Sequence, residues 1–175
     1  MEPRQTTAAA DPRPSRLLMI FGYLVGGIGL ALGSSQLSDG AAQAIEPVAL
    51  WSVGLLGVVS FVRHSIFHRS DAARMRWDLG RTDNFQIEVG MANLAWGLAG
   101  LASVIWDWGV AAQAGLTLVF GLYLLQTAVL HFWVLMRGPQ PERRSPGPAV
   151  VTTAFAGALI ALALAALADT SVAPF

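Results

Sequence analysis

The chain has 175 residues, 54% hydrophobic and 13% charged, against roughly one-quarter charged in a soluble domain, which argues against a water-soluble fold. Its formal net charge is zero, so no basic excess points to nucleic acid. It has no cysteine, which rules out disulfides, thiolate zinc sites, iron–sulfur ligation and thiol nucleophiles.

Residues 1–16 hold three prolines and small polar residues with no apolar period, and are expected to be a disordered tail. Residues 17–37 are a continuous apolar run, long enough at 1.5 Å per residue to cross a hydrocarbon core of about 30 Å. A second span is expected over 46–67, with Pro47 in its first turn, where a missing N–H costs nothing. Residues 70–85 form the longest internal polar stretch, with a short interfacial helix expected around 72–79 carrying Trp77. Spans three and four are expected over 86–106 and 111–136. The Asp107-Trp108-Gly109 turn between them makes the two antiparallel neighbours. Residues 137–148 are a proline-rich basic loop, 149–168 a fifth span, and 169–175 a short tail. The expected fold is therefore all-α: one integral membrane helical bundle domain over 17–168.

Every basic residue is arginine, a bias that suggests a GC-rich bacterial source. Arg4, Arg13 and Arg16 precede span one, and Arg63, Arg69, Arg74, Arg76 and Arg81 flank the second loop. Arg137, Arg143 and Arg144 sit in the fourth loop. The remaining connections and the C-terminal tail carry no arginine. They hold Asp39, Glu46, Asp107 and Asp169 instead. Five spans with a cytoplasmic N-terminus and an external C-terminus satisfy the positive-inside rule throughout, and imply a multi-pass protein of the bacterial cytoplasmic membrane. Ala42-Gln43-Ala44 has the form of a signal cleavage site, but the apolar run exceeds a signal's usual length, and span one is expected to be retained. Gly22, Gly26, Gly29 and Gly33 within it are spaced for a close-packed helix, so a homo-oligomer or a partner helix is an expected contact besides the bilayer.

Ionisable groups inside spans are costly and mark functional candidates. His64 and His68 end span two, His131 lies near the end of span four, and Gln86, Glu88 and Asn93 start span three. By topology all share the cytoplasmic third of the membrane. Helical spacing sets Gly54, Gly57, Phe61, His64 and His68 on one close-packing face of span two. In span four, His131 falls in line with Thr117 and Thr127. Glu88 lies about 140° around an ideal helix from Asn93, so the two share a target only if the helix start is irregular. Trp51, Trp106, Trp108 and Trp133 fit an interfacial belt. Trp96, within span three, is a candidate pocket wall.

Three readings of this constellation stand side by side. It is an interhelical hydrogen-bond network without chemistry, leaving the protein a scaffold or accessory subunit. It is a metal or haem site, in which His64, His68, His131 and Glu88 would hold zinc, copper, iron or haem, with Glu88, Asn93 and Trp96 contacting a small ligand. Or it is a proton-linked transporter or membrane enzyme, in which Glu88 exchanges protons with a histidine.

The stretch from Phe85-Gln86-Ile87-Glu88-Val89-Gly90-Met91-Ala92-Asn93 to Leu94-Ala95-Trp96-Gly97, downstream of Arg63-His64-Ser65-Ile66-Phe67-His68, resembles a family of small bacterial multi-pass proteins known as a domain of unknown function. That resemblance implies a helical membrane bundle and supplies no activity. More broadly the chain is similar to the DoxX-like group of four-helix membrane proteins, without a motif that carries residues over.

The arginine distribution predicts that reporter fusions after residues 75 and 142 read as cytoplasmic, and that fusions after residues 40 and 109 and at the C-terminus read as external. A cytoplasmic C-terminus would overturn the five-span topology.

Overall fold

A computed structural model describes residues 10–75, 84–137 and 146–172, and its regular structure there is entirely helical. Five helices are long and apolar enough to cross a membrane. They are α1 (Arg13–Ser35), α2 (Ala41–Ile66), α4 (Asn84–Ile105), α5 (Val110–Arg137) and α6 (Gly147–Val172). Between the second and third spans lies the short α3 (His68–Met75). Large apolar side chains such as Leu17, Phe21, Leu98, Val129 and Leu164 project outward from the spans. Such an apolar exterior belongs in a bilayer, and the chain is a multi-pass membrane protein. Trp77 and the rest of residues 76–83 lie outside the described residues, as do 1–9 and most of the fourth loop.

Two helix starts fall earlier than the sequence predicts. α1 begins at Arg13 rather than residue 17 because Pro14 fits the first turn and Ser15 is tied to α3. α2 begins at Ala41 because its backbone N–H finds the Asp169 carboxylate at 2.8 Å across the bundle, which satisfies an orphan donor of the first turn. Pro47 therefore sits inside the helix and not at its start. Lacking an N–H, it cannot continue the i→i−4 ladder. The winding widens from that point into a π-helical stretch, Val48–Leu55, returns to α over Leu56–Phe61, and widens again over Val62–Ile66. The turn between α4 and α5 forms as expected, with Asp107 and Gly109 both at positive φ.

Without a hydrophobic drive between helices in lipid, close contact comes from small residues and hydrogen bonds. α2 and α4 cross backbone to backbone. A Cβ added at Gly57 would lie 2.6 Å from Gly97 Cα, and one at Gly100 would lie 2.9 Å from Gly54 N. The glycine stripe of α1 meets the chain's own α2. A Cβ at Gly29 would stand 2.8 Å from Ser52 N, one at Gly33 2.7 Å from Ala44 O, and Gly22 faces Leu56. Gly26 is closed off by Phe155 of α6 and accepts the Ser52 hydroxyl at 2.8 Å. Gly22, Gly26, Gly29 and Gly33, which the sequence offers to a homo-oligomer or partner helix, thus pack against helices of the chain itself. α5 packs along α6, with Phe120 and Leu159 in one core cluster and Ala114, Ala163 and Ala166 in another. α5 meets α4 near their shared turn, where Gln113 donates to Ser103 O at 3.2 Å, and again at Asn93–Tyr123.

Because backbone atoms oppose it, Gly57→Val should cost about 1–3 kcal/mol of overpacking in a mixed-micelle unfolding titration. Gly115→Ala, which meets nothing within 4 Å, should stay within about 0.5 kcal/mol of the parent. Equal stability of the two variants would contradict the α2–α4 crossing.

Candidate functional site

At the end of the bundle where α1 starts, α2 stops and α4 begins, the chain buries a carboxylate that the topology counts as part of a polar loop. Asp71, in the first turn of α3, is 1% exposed. Its Oδ1 accepts from Arg74 Nε at 3.0 Å and Nη2 at 2.9 Å, and from the Ser15 hydroxyl of α1. Its Oδ2 accepts from Gln86 Nε2 of α4 at 2.6 Å. Arg63 Nε of α2 stands 3.8 Å from Oδ1. His64 Nδ1 lies 2.9 Å from Oδ2, an ion-pair contact outside good N–H alignment.

A backbone lattice supports the cluster. Ser15 N–H donates to Ser70 Oγ at 3.1 Å, and that hydroxyl donates to Asp11 O at 2.6 Å. Arg63 Nη2 lies 2.5 Å from His64 Nε2. A guanidinium can only donate, so Nε2 is the acceptor and the neutral ring carries its proton on Nδ1, facing Asp71. Burial alone would raise the Asp71 carboxyl. The close His64 Nδ1 and the charges of Arg63 and Arg74 outweigh it and hold the group well below the usual carboxylate range.

Two of these partners stand in the second π turn. In it Arg63 and His64, sequence neighbours that an α-helix would point about 100° apart, both reach the carboxylate. The turn closes at Phe67, whose N–H bonds Val62 O at 3.0 Å. The break at Phe67 then carries His68 into α3.

The cluster is one wall of a cavity of about 410 Å³ between α1, α2, α4, α5 and α6, within the usual range for a small-molecule site. Arg63, His64, Asp71, Arg74 and Gln86 line its polar end, with Asn93, Tyr123 and His131 further along the wall. Met19, Leu56, Val89, Phe120, Leu124 and Phe155 supply apolar surface. Asn93, 3% exposed, donates from Nδ2 to Val89 O at 2.7 Å and to Tyr123 Oη at 3.1 Å.

Of the residues the sequence singles out, His64, Asn93 and His131 share this cavity. His68, Glu88 and Trp96 do not. His68 leaves the expected face because the helix widens and then breaks between the two histidines, and its Nδ1 donates to Ser65 O at 2.9 Å. Glu88 is exposed while Asn93 is buried, as a regular helix start with 140° between them requires. Trp96 packs against the Phe120–Leu159 core. The four-ligand set of His64, His68, His131 and Glu88 is therefore not assembled. Among the described residues no three of His, Cys, Asp and Glu come together to hold a metal ion. Sequence reasoning missed Asp71, which fell within the polar loop, and Arg63 and Arg74, which served there only as topology markers. Their helical placement on either side of a short break was the available signal.

The chain belongs to a family of unknown function (DUF6790), whose family model matches residues 15–173, as the sequence resemblance implies. No curated protein and no solved structure matches it, and the likeness to the DoxX-like group is not shown.

Removing one member of a buried ion cluster leaves the others uncompensated. Asp71→Asn should cost about 3–5 kcal/mol in the same titration, whereas Glu88→Gln should change stability little. A carboxyl depressed on folding stabilises above its unfolded pKa and stops doing so as pH falls through the lower folded value. The Asp71 contribution should thus be constant from about pH 5 to 8 and decline only on stronger acidification. Parity of Asp71→Asn with the parent would remove the cluster from its central role.

Proposed function

We propose that this protein binds a small amphipathic molecule inside the bilayer, with the molecule's polar end at the Arg63–His64–Asp71 wall and its apolar part among the bundle helices. The observation that carries the reading is the cavity itself: one end is lined by buried, hydrogen-bonded polar groups and the remainder is largely apolar. Sites of this character bind ligands by apolar burial and fix their orientation with a few convergent polar groups. In a membrane such groups are too costly to retain without a use, and packing alone is met here by glycines and apolar contacts.

The one-sided arginines favour a cytoplasmic position for the polar end, in a bacterial cytoplasmic membrane. Of the candidate ligand set, Asn93 stays in the proposal, through its pairing with Tyr123 at the cavity wall. His64 and His131 stay as polar wall residues, not as metal ligands.

Thr127 lines the cavity from α5 and spends its hydroxyl on Tyr123 O at 3.2 Å. Thr127→Trp should therefore fill the space and leave the Asp71 cluster intact. Native mass spectrometry of protein released from maltoside micelles after incubation with dodecanol and dodecanoate should show one amphiphile bound to the parent, and at least about tenfold lower occupancy for the variant. Equal occupancy in the two proteins would refute binding in this cavity.

A further inference from the structure

The charges at the polar end do not cancel. Arg63 and Arg74 each carry a permanent positive charge, and among the described residues the one acidic side chain lining the cavity with them is Asp71. His64 is neutral in the tautomer fixed by Arg63. The arginines are also used unequally. Arg74 donates from two nitrogens to Asp71 Oδ1 and from Nε to Ser15 as well. Arg63 reaches the same carboxylate only at 3.8 Å, its Nε has no hydrogen-bond partner, and its one close bond goes to the neutral His64 ring. Arg63 is thus the cation whose charge is least compensated, beside an apolar space of low dielectric where that imbalance matters most. Tyr123 lines the same cavity as Arg63 and accepts from Asn93, which leaves its own O–H proton to donate.

Resting on the reading that the cavity holds an amphiphile, we propose that the occupant is a single-chain carboxylate of the fatty-acid class, its head bound by Arg63 and Tyr123 and its chain against Leu56, Leu124 and Phe155. A monoanion matches the single excess positive charge, whereas a phosphate monoester, carrying more negative charge, would overshoot it. A planar carboxylate also suits the fork of a guanidinium, and the neighbouring donors already grip the carboxylate of Asp71. About 410 Å³ has room for one such chain.

The test compares three dodecyl probes on the full-length protein in maltoside micelles: dodecanoate, dodecanol and dodecyl phosphate. The parent should bind dodecanoate at least about tenfold more tightly than dodecanol, the order expected for a hydrogen bond to a charged group, and more tightly than dodecyl phosphate. Arg63→Gln should lower dodecanoate binding far more than dodecanol binding and so erase the preference between them. Tyr123→Phe, which keeps the ring and its packing on Phe120, should reduce the preference in part. Should Arg63→Gln fail to fold, the three-probe comparison on the parent and Tyr123→Phe decide alone. Equal binding of acid and alcohol would overturn the anionic head and leave the amphiphile site standing. Tightest binding of dodecyl phosphate would overturn the carboxylate. Binding of none of the three would overturn this inference and the amphiphile site together.

Discussion

The described structure at one end of this bundle depends on a single carboxylate that neutralises arginine inside an apolar protein. Asp71 is fixed to α1 through Ser15, to α4 through Gln86, and to its own helix through Arg74, while Arg63 and His64 approach it from α2. A buried ion pair gives little net stability compared with an apolar replacement, but breaking one is expensive. Its effect here is therefore one of register, since it fixes where three spanning helices end relative to one another. The cavity is the space beside α5, which is held to α6 along its length and meets α4 at the far turn, at the Asn93–Tyr123 bond and around Trp96.

Much of the architecture was legible in the sequence because membrane helices obey coarse rules. Length and hydropathy marked five spans, and the Asp107–Gly109 turn made α4 and α5 sequential neighbours. Gly54 and Gly57 marked a close-packing face of α2. The stripe on α1 was equally visible, but its partner was not. Glycine spacing says that a helix can approach closely, and only the fold says that the helix is the next one in the same chain.

The site was half legible. His64, Asn93 and His131 were identified by the cost of burying polar groups in lipid, and they do line one cavity. Asp71 escaped because an aspartate in an arginine-rich loop costs nothing there, and the short interfacial helix expected around 72–79 began just after it, whereas the helix starts at His68. His68 and Glu88 were included because uniform helical periodicity was applied to segments that behave differently. α2 departs from 3.6 residues per turn just before His68, whereas α4 keeps that period from its start, which turns Glu88 away from Asn93.

The widened winding of α2 also makes this helix a store of slack. A π turn takes up one more residue than the α turn it replaces, so the segment ahead of Phe67 holds chain that a tighter coil would release. Were that turn to tighten, everything beyond it would rotate by about 100° and slide along the axis by one residue. Arg63 and His64 could then no longer face Asp71 together. The contacts of Arg63 and His64 with Asp71 thus belong to the looser winding.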